Sequence, residues 1–251
     1  MDGEDLASIA IDIKNWKIPY SKLLSLNSGD EFENVDERAK RVPAKIPKKI
    51  HQVWLGTKEL PLAKKYFLAK TKKVYPSYEI KLWREENITR EAFPNTYEVI
   101  QTLLDFNKRS PYNKAAAITD IIRHEILYQE GGFWKDSGVN LLRPIFDKFL
   151  TYRAVVGNDM TFRHRWLQGM CFFANVPKAV NIARINNFRN LNRMRIYSWY
   201  AIGVAGPIDF RQFVLPHEEN DPDVLTLPYE KFYPGQINEH PLKDQCTIRE
   251  E

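Results

Sequence analysis

Cysteine is scarce in this 251-residue chain: Cys171 and Cys246 are its two, far apart in sequence. That count supports neither a disulfide scaffold nor a cysteine-rich zinc site, and it fits a reducing compartment. Long apolar runs are missing as well. No stretch approaches the roughly eighteen apolar residues that mark a membrane span. The first residues, Met1-Asp2-Gly3-Glu4-Asp5, are acidic where a secretion signal would set basic residues before an apolar run. The expectation is a chain with neither signal nor transmembrane anchor, meeting a membrane, if at all, from its surface. Internal repeats and low-complexity segments are also lacking, which argues against solenoids and disordered arrays.

What is present suits a globular domain. Apolar residues make up 43%, aromatics 13% and charged residues 27%, well outside the disordered range and enough for one large core or two modest ones. The formal charge of +5 favours anionic partners, which include nucleic acid, an acidic membrane surface or a small phosphorylated substrate.

Residues 1–42 mix short apolar pieces with the charge-rich run Asp30 to Arg41 and read as an N-terminal helical attachment, leaving residues 43–251 as the main domain. Lys48 to Gly56, K-K-I-H-Q-V-W-L-G, reads as the first core strand. Leu62 to Tyr75 has helical spacing and stops before Pro76. A second strand is expected at Tyr78 to Trp83, a helix at Glu91 to Lys108 broken near Phe93-Pro94, and a further helix at Asn113 to Gln129. This alternation of strand and helix begins an α/β sheet. Arg153 to Gly157 and Cys171 to Asn175 read as later strands, Lys178 to Asn187 and Tyr197 to Ala205 as helices, and the proline-containing tail as strands and loops.

The richest stretch is Asp120 to Val139, D-I-I-R-H-E-I-L-Y-Q-E-G-G-F-W-K-D-S-G-V. Charges and apolar residues alternate at helical spacing, Gly131-Gly132 permits a tight turn, and Phe133-Trp134 opens a short strand that delivers Asp136 to its carboxyl end. Carboxyl ends of strands in open α/β sheets are where ligands bind. Gln52 and Trp54 fall at the end of the first strand, where a ring and an amide would bracket a base or ribose. His51 alternates onto the opposite face and reads as a hydrogen-bonded core residue.

Four pieces together resemble the sugar-nucleotide-dependent glycosyltransferases that share a D-X-D sugar-binding region. That group includes the initiating α-1,6-mannosyltransferases, the inositolphosphoceramide mannosyltransferases and, more distantly, the clostridial glucosylating toxins. The pieces are Ile46 to Gly56, Ala117 to Asp136, Trp166 to Ala174, and Ala205-Gly206-Pro207. The resemblance implies a GT-A-like nucleotide-binding α/β sandwich with a mixed central sheet. It further implies a nucleotide-sugar donor, a UDP-sugar or a GDP-sugar, a glycan, glycolipid or protein hydroxyl as acceptor, and retention of anomeric configuration; no residue pattern separates the two donors, and a UDP-sugar is placed first. Because the family's Golgi members carry an anchor and this chain shows none, the expectation is a cytoplasmic, soluble microbial or viral enzyme.

By the same resemblance Asp120, Arg123 and Asp136 are the expected catalytic residues. Gln52, Trp54, Asp120, Arg123, Gly132, Ser137 and His240 form the expected donor-binding set. Arg165, Trp166, Gln168 and Gly169 would face the acceptor, since aromatic faces suit sugar C–H surfaces and Arg forks suit phosphates. A divalent metal ion, manganese first, would be held by Asp136, Asn238 and His240 beneath the diphosphate. One departure bears on that ion. The motif here reads Asp136-Ser137-Gly138, so the second carboxylate is absent, and ligand charge count is a main determinant of divalent affinity. Ser137, backbone carbonyls or the Lys135 ammonium are the available substitutes.

Two other readings stay open on the residues alone. One is a catalytically silent scaffold with the transferase fold. The other is a binding module for nucleic acid or another anionic partner, suggested by Lys64-Lys65, Lys72-Lys73, Arg189, Arg193 and Arg195, although these interleave with acids and match no nucleic-acid motif.

Overall fold

The computed structural model describes residues 43–55, 59–109, 115–137, 139, 141, 144–159, 167–178 and 223–227. The expected attachment at residues 1–42, the two helices expected beyond Lys178 and most of the tail lie outside the described residues.

Strand β1 covers Lys49–Val53 and helix α1 Leu62–Val74. Phe67 and Thr71, one turn apart, are the buried pair of α1, and Thr71 Oγ1 donates to Phe67 O at 2.7 Å. Lys72 and Lys73 fill its last turn, where cations suit the helix dipole. Strand β2, Glu79–Trp83, follows. Helix α2 begins at Tyr97 and runs to Arg109, six residues later than its expected start at Glu91. Pro94 explains the delay, because the residue before a proline is disfavoured in helical geometry. The chain makes turns there instead, with Phe93 N donating to Thr89 O at 2.9 Å.

Helix α3, Ala115–Glu130, is the central helix, with Ile118, Ile121, Ile122, Ile126 and Leu127 all buried. It ends at Gly131, whose φ of 64° is the left-handed conformation that commonly terminates a helix. Strand β3, Gly132–Lys135, follows at once. A short helix α4 at Phe146–Phe149 leads to β4, Ala154–Asp159, then β5, Leu167–Asn175, and β6, Val224–Leu227.

The six strands of the described residues form one sheet in the order β2-β1-β3-β5-β4-β6. Strands β2, β1 and β3 run parallel, β5 is antiparallel to both β3 and β4, and β6 is parallel to β4, so the sheet is mixed, as expected. Three carboxyl ends, at Val53, Trp83 and Lys135, therefore share one edge. Because Lys135 pairs with Phe172, the amino half of antiparallel β5 projects past that same edge.

Side chains alternate across a strand, so the sheet splits the core in two. Ile50 and Phe133 pack on one face with Tyr75, Tyr78, Phe146 and Phe149. The Phe133 ring stacks on Phe146 at 4.3 Å, and Phe146 on Tyr75 at 4.5 Å. Val53 and Trp134 pack on the other face with Phe93, Ile100 and the isoleucines of α3. Register sets the partition, since Ile50 lies opposite Phe133 and His51 opposite Trp134. Among the described residues no helix is long and apolar enough to cross a membrane.

Candidate active site

Asp136 stands one residue beyond β3, on the strand-end edge. It shares a sheet face with Trp134, two residues back, and the Trp134 Nε1–H donates to Asp136 Oδ1 at 2.7 Å. From the same face α3 presents Arg123, which is buried. Its Nη2 pairs with Asp120, one turn earlier on the helix. Its Nη1 lies 3.8 Å from Asp136 Oδ1, and its guanidinium sits over the Trp134 ring at 5.4 Å from the centroid. The three expected catalytic residues thus converge, although they come from a helix and a strand end. The Asp136 side chain is 35% exposed while Arg123 is 4% exposed, so the carboxylate faces solvent with a desolvated cation behind it. A charge held away from water, as on Arg123, acts more strongly on its neighbours than it would in solvent.

The turn after Asp136 is closed from the opposite face. Val139 N donates to Asp136 O at 2.9 Å. Lys135 Nζ donates to Val139 O at 2.8 Å and approaches Asp136 O at 3.4 Å. Lys135 is completely buried, and that burial pushes its ammonium down to about 7, with the Asp136 charge acting the other way. Its amine is therefore engaged with turn carbonyls, and Lys135 holds the backbone of the turn in place.

Other expected residues are distributed less simply. Gln52 is 2% exposed, and its Oε1 has no hydrogen-bond partner among the described residues. By strand alternation it lies on the face of Ile50, across the sheet from Trp134 and Asp136. Trp54 follows β1 and is half-buried, its backbone N–H donating to Trp83 O at 2.9 Å. Ser137 follows Asp136 in the turn and is half-buried. Gln168 and Gly169 are on the part of β5 that projects past the edge, opposite Asn158 and Gly157. Arg165, Trp166, Asn238 and His240 lie outside the described residues.

Gly132, expected in the donor-binding set, opens β3 at the end away from Asp136. A Cβ there would stand 2.7 Å from Lys49 O and 3.3 Å from His51 Nε2. With φ of 94°, it is a glycine because two strands approach closely there. His51 keeps its expected character: it is buried, with Nε2 3.0 Å from Gly131 O and Nδ1 accepting from Trp83 Nε1 at 3.2 Å.

Among the described residues no three His, Cys, Asp or Glu side chains converge as a metal site. Asp136 is the one described carboxylate of the expected ligand set, and the Asp136 and Val139 carbonyls are engaged by Lys135. An exposed carboxylate oxygen is the hard donor that divalent ions favour, so Asp136 fits a cation that takes its remaining ligands from outside the turn. Sequence reasoning did not find the Trp134–Asp136 bond. The signal was there, since residues two apart on a strand share a face.

A family model described as capsular polysaccharide synthesis protein matches residues 18–174. Inositol phosphoceramide mannosyltransferase 3 of Schizosaccharomyces pombe is 37% identical over 115 residues, which is 45% of this chain and 30% of that protein. The chain therefore spans about a third of the length of this relative. Among solved structures, one described as PaToxG glycosyltransferase superposes with a TM-score of 0.54 at 18% identity, covering 73% of this chain and 74% of the other. At that identity the likeness concerns fold, and the fold is a GT-A-like α/β sandwich with a mixed central sheet.

Proposed function

The chain belongs to the capsular polysaccharide synthesis protein family, and we propose that it is a glycosyltransferase moving a sugar from a nucleotide-sugar donor to the hydroxyl of a glycan, glycolipid or protein, with retained anomeric configuration. A UDP-sugar ranks ahead of a GDP-sugar as donor. The observation that carries the reading is the convergence of Asp120, Arg123 and Asp136 where the parallel strands end. The named activity of the fission-yeast relative, a mannosyltransferase, supports it.

In this reading Arg123 meets the donor's phosphate or sugar hydroxyls with a planar fork held by Asp120 and Trp134. A guanidinium so fixed loses little freedom on binding and stabilises charge as it develops on the leaving phosphate. Asp120 takes a sugar or ribose hydroxyl. Asp136 contributes the carboxylate oxygen nearest solvent, with Asn238 and His240 as its proposed co-ligands. A bound divalent ion, manganese first, would neutralise the diphosphate. The departing phosphate itself accepts the acceptor proton, so the chain needs no separate base. Gln168 and Gly169, with Arg165 and Trp166 preceding them in sequence, are the proposed acceptor side.

The test is a panel of UDP- and GDP-sugars with manganese, magnesium or EDTA, followed by calorimetry and free-nucleotide release. Metal-dependent turnover of one donor, abolished by Asp136→Asn, is the expected result. Failure to bind any donor would leave a silent scaffold, and salt-sensitive nucleic-acid binding in its place would favour the anionic-partner reading.

A further inference from the structure

The geometry points to Trp134 as a positioning residue that holds Asp136 in one rotamer, commits Oδ1 to the protein and leaves Oδ2 as the oxygen offered to the donor complex. This deepens the proposed function and rests on it. A carboxylate that ends a strand at an exposed edge would ordinarily sample several staggered χ1 wells. Here the indole N–H reaches Oδ1 at 2.7 Å, and Arg123 Nη1 is 3.8 Å from the same oxygen. Both partners are themselves fixed. Trp134 is fully buried, and Arg123 is clamped by Asp120 while its guanidinium lies over the Trp134 ring.

One indole therefore does two things. Its edge orients the carboxylate, and its face supports the guanidinium that would meet the same donor. Hydrogen bonds to ionised acceptors are among the stronger ones in proteins, so the rotamer is well determined. The backbone is determined independently by Lys135 on the opposite face. With one oxygen committed, Asp136 meets a cation or a sugar hydroxyl through a single atom. The requirement for correct placement of that atom is correspondingly strict.

Trp134→Phe keeps an aromatic face beneath Arg123 and removes the N–H. Phe146→Leu, a buried aromatic loss on the opposite face, is the control for general destabilisation. The donor KM should rise about tenfold or more in Trp134→Phe, and Phe146→Leu should leave it near the wild-type value at a similar loss of melting temperature. Equal donor KM values in the two variants would overturn the inference. A second readout needs no turnover. In 1H–15N spectra of the full chain, the Trp134 indole resonance should shift upfield in Asp136→Ala as its charged acceptor disappears, and an unchanged resonance would overturn the bond itself. Wild-type protein that turns over no donor would sink the proposed function, while the spectra would still decide whether the indole holds the carboxylate.

Discussion

Trp83 donates its indole Nε1–H to His51 Nδ1 at 3.2 Å, which leaves the ring proton on Nε2, 3.0 Å from Gly131 O. The bond joins two parallel strands to the end of the central helix through one neutral imidazole. Burial is the main reason the ring stays neutral. It pushes His51 down to about 4, with Glu130 and Gly131 O acting in the opposite direction and Lys81 and Lys49 adding to the fall.

A pH dependence of stability follows. Between the ordinary value near 6.5 and about 4, the unfolded chain binds a proton at His51 and the folded chain does not. The contribution is complete above pH 6.5 and is lost as the pH falls toward 4, by up to about 3 kcal/mol. Urea midpoints measured from about pH 7.5 to about 4.5 should fall accordingly. In His51→Gln the decline should be visibly shallower, and an equal slope in both proteins would remove His51 as its source.

The paired glycines make a second prediction. Gly131 has φ of 64° with Pro177 Cδ 2.6 Å from any added Cβ, and Gly132 has φ of 94° with Lys49 O at 2.7 Å. Neither a backbone carbonyl nor a proline ring can step aside cheaply. Each substitution to Ala should cost more than about 2 kcal/mol, backbone strain and collision taken together. Chemical denaturation measures it, and a loss below about 0.5 kcal/mol in either variant would contradict the packing described.

Much of this layout was legible in the sequence, for reasons that can be named. Asp120 and Arg123 are one helical turn apart, and Asp136 ends a strand begun by a glycine turn, so their convergence follows from periodicity and the βα order. The glycine pair is legible as a tight turn, but the close approach of Lys49 on the neighbouring strand, which a Cβ at Gly132 would meet, is a tertiary contact with no local signal. Gln52 reads, with Trp54, as a donor-side residue from its position at the end of β1. Which face it took depended on the register of Ile50 against Phe133, a long-range pairing that no local pattern encodes. The late start of α2 is a different case, because its cause is local: Pro94 marks the break, and the residues before it form turns, with Phe93 N donating to Thr89 O.

Arg123→Lys should separate geometry from charge. Lysine keeps the cation but lacks the planar fork that reaches Asp120 and Asp136 together. Donor turnover, as kcat/KM, should fall on the order of 100-fold, the scale seen when one preorganised donor is removed from a dry site. Glu130→Gln is the matched control at the far end of the same helix, where Glu130 accepts from Lys49 at 2.8 Å and Lys81 at 2.7 Å. It should cost about 1 kcal/mol of stability at most and leave turnover unchanged. Comparable losses of turnover in both variants would mean that helix integrity, and not the guanidinium, is what the reaction requires.

Gly138→Asp asks what a second carboxylate would do at the site. It writes a D-X-D pattern over residues 136–138, adding a second anionic side chain two residues beyond Asp136. Ligand charge count governs divalent affinity in oxygen sites, so the manganese concentration giving half-maximal turnover should fall by about tenfold or more. Gly138→Asn, which adds nearly the same bulk without charge, should leave it close to the wild-type value. Should both variants shift together, the effect would belong to turn conformation. Should neither shift, the Asp136 turn would not be the place where the cation is held, and the positive charge facing the diphosphate would have to come from Arg123.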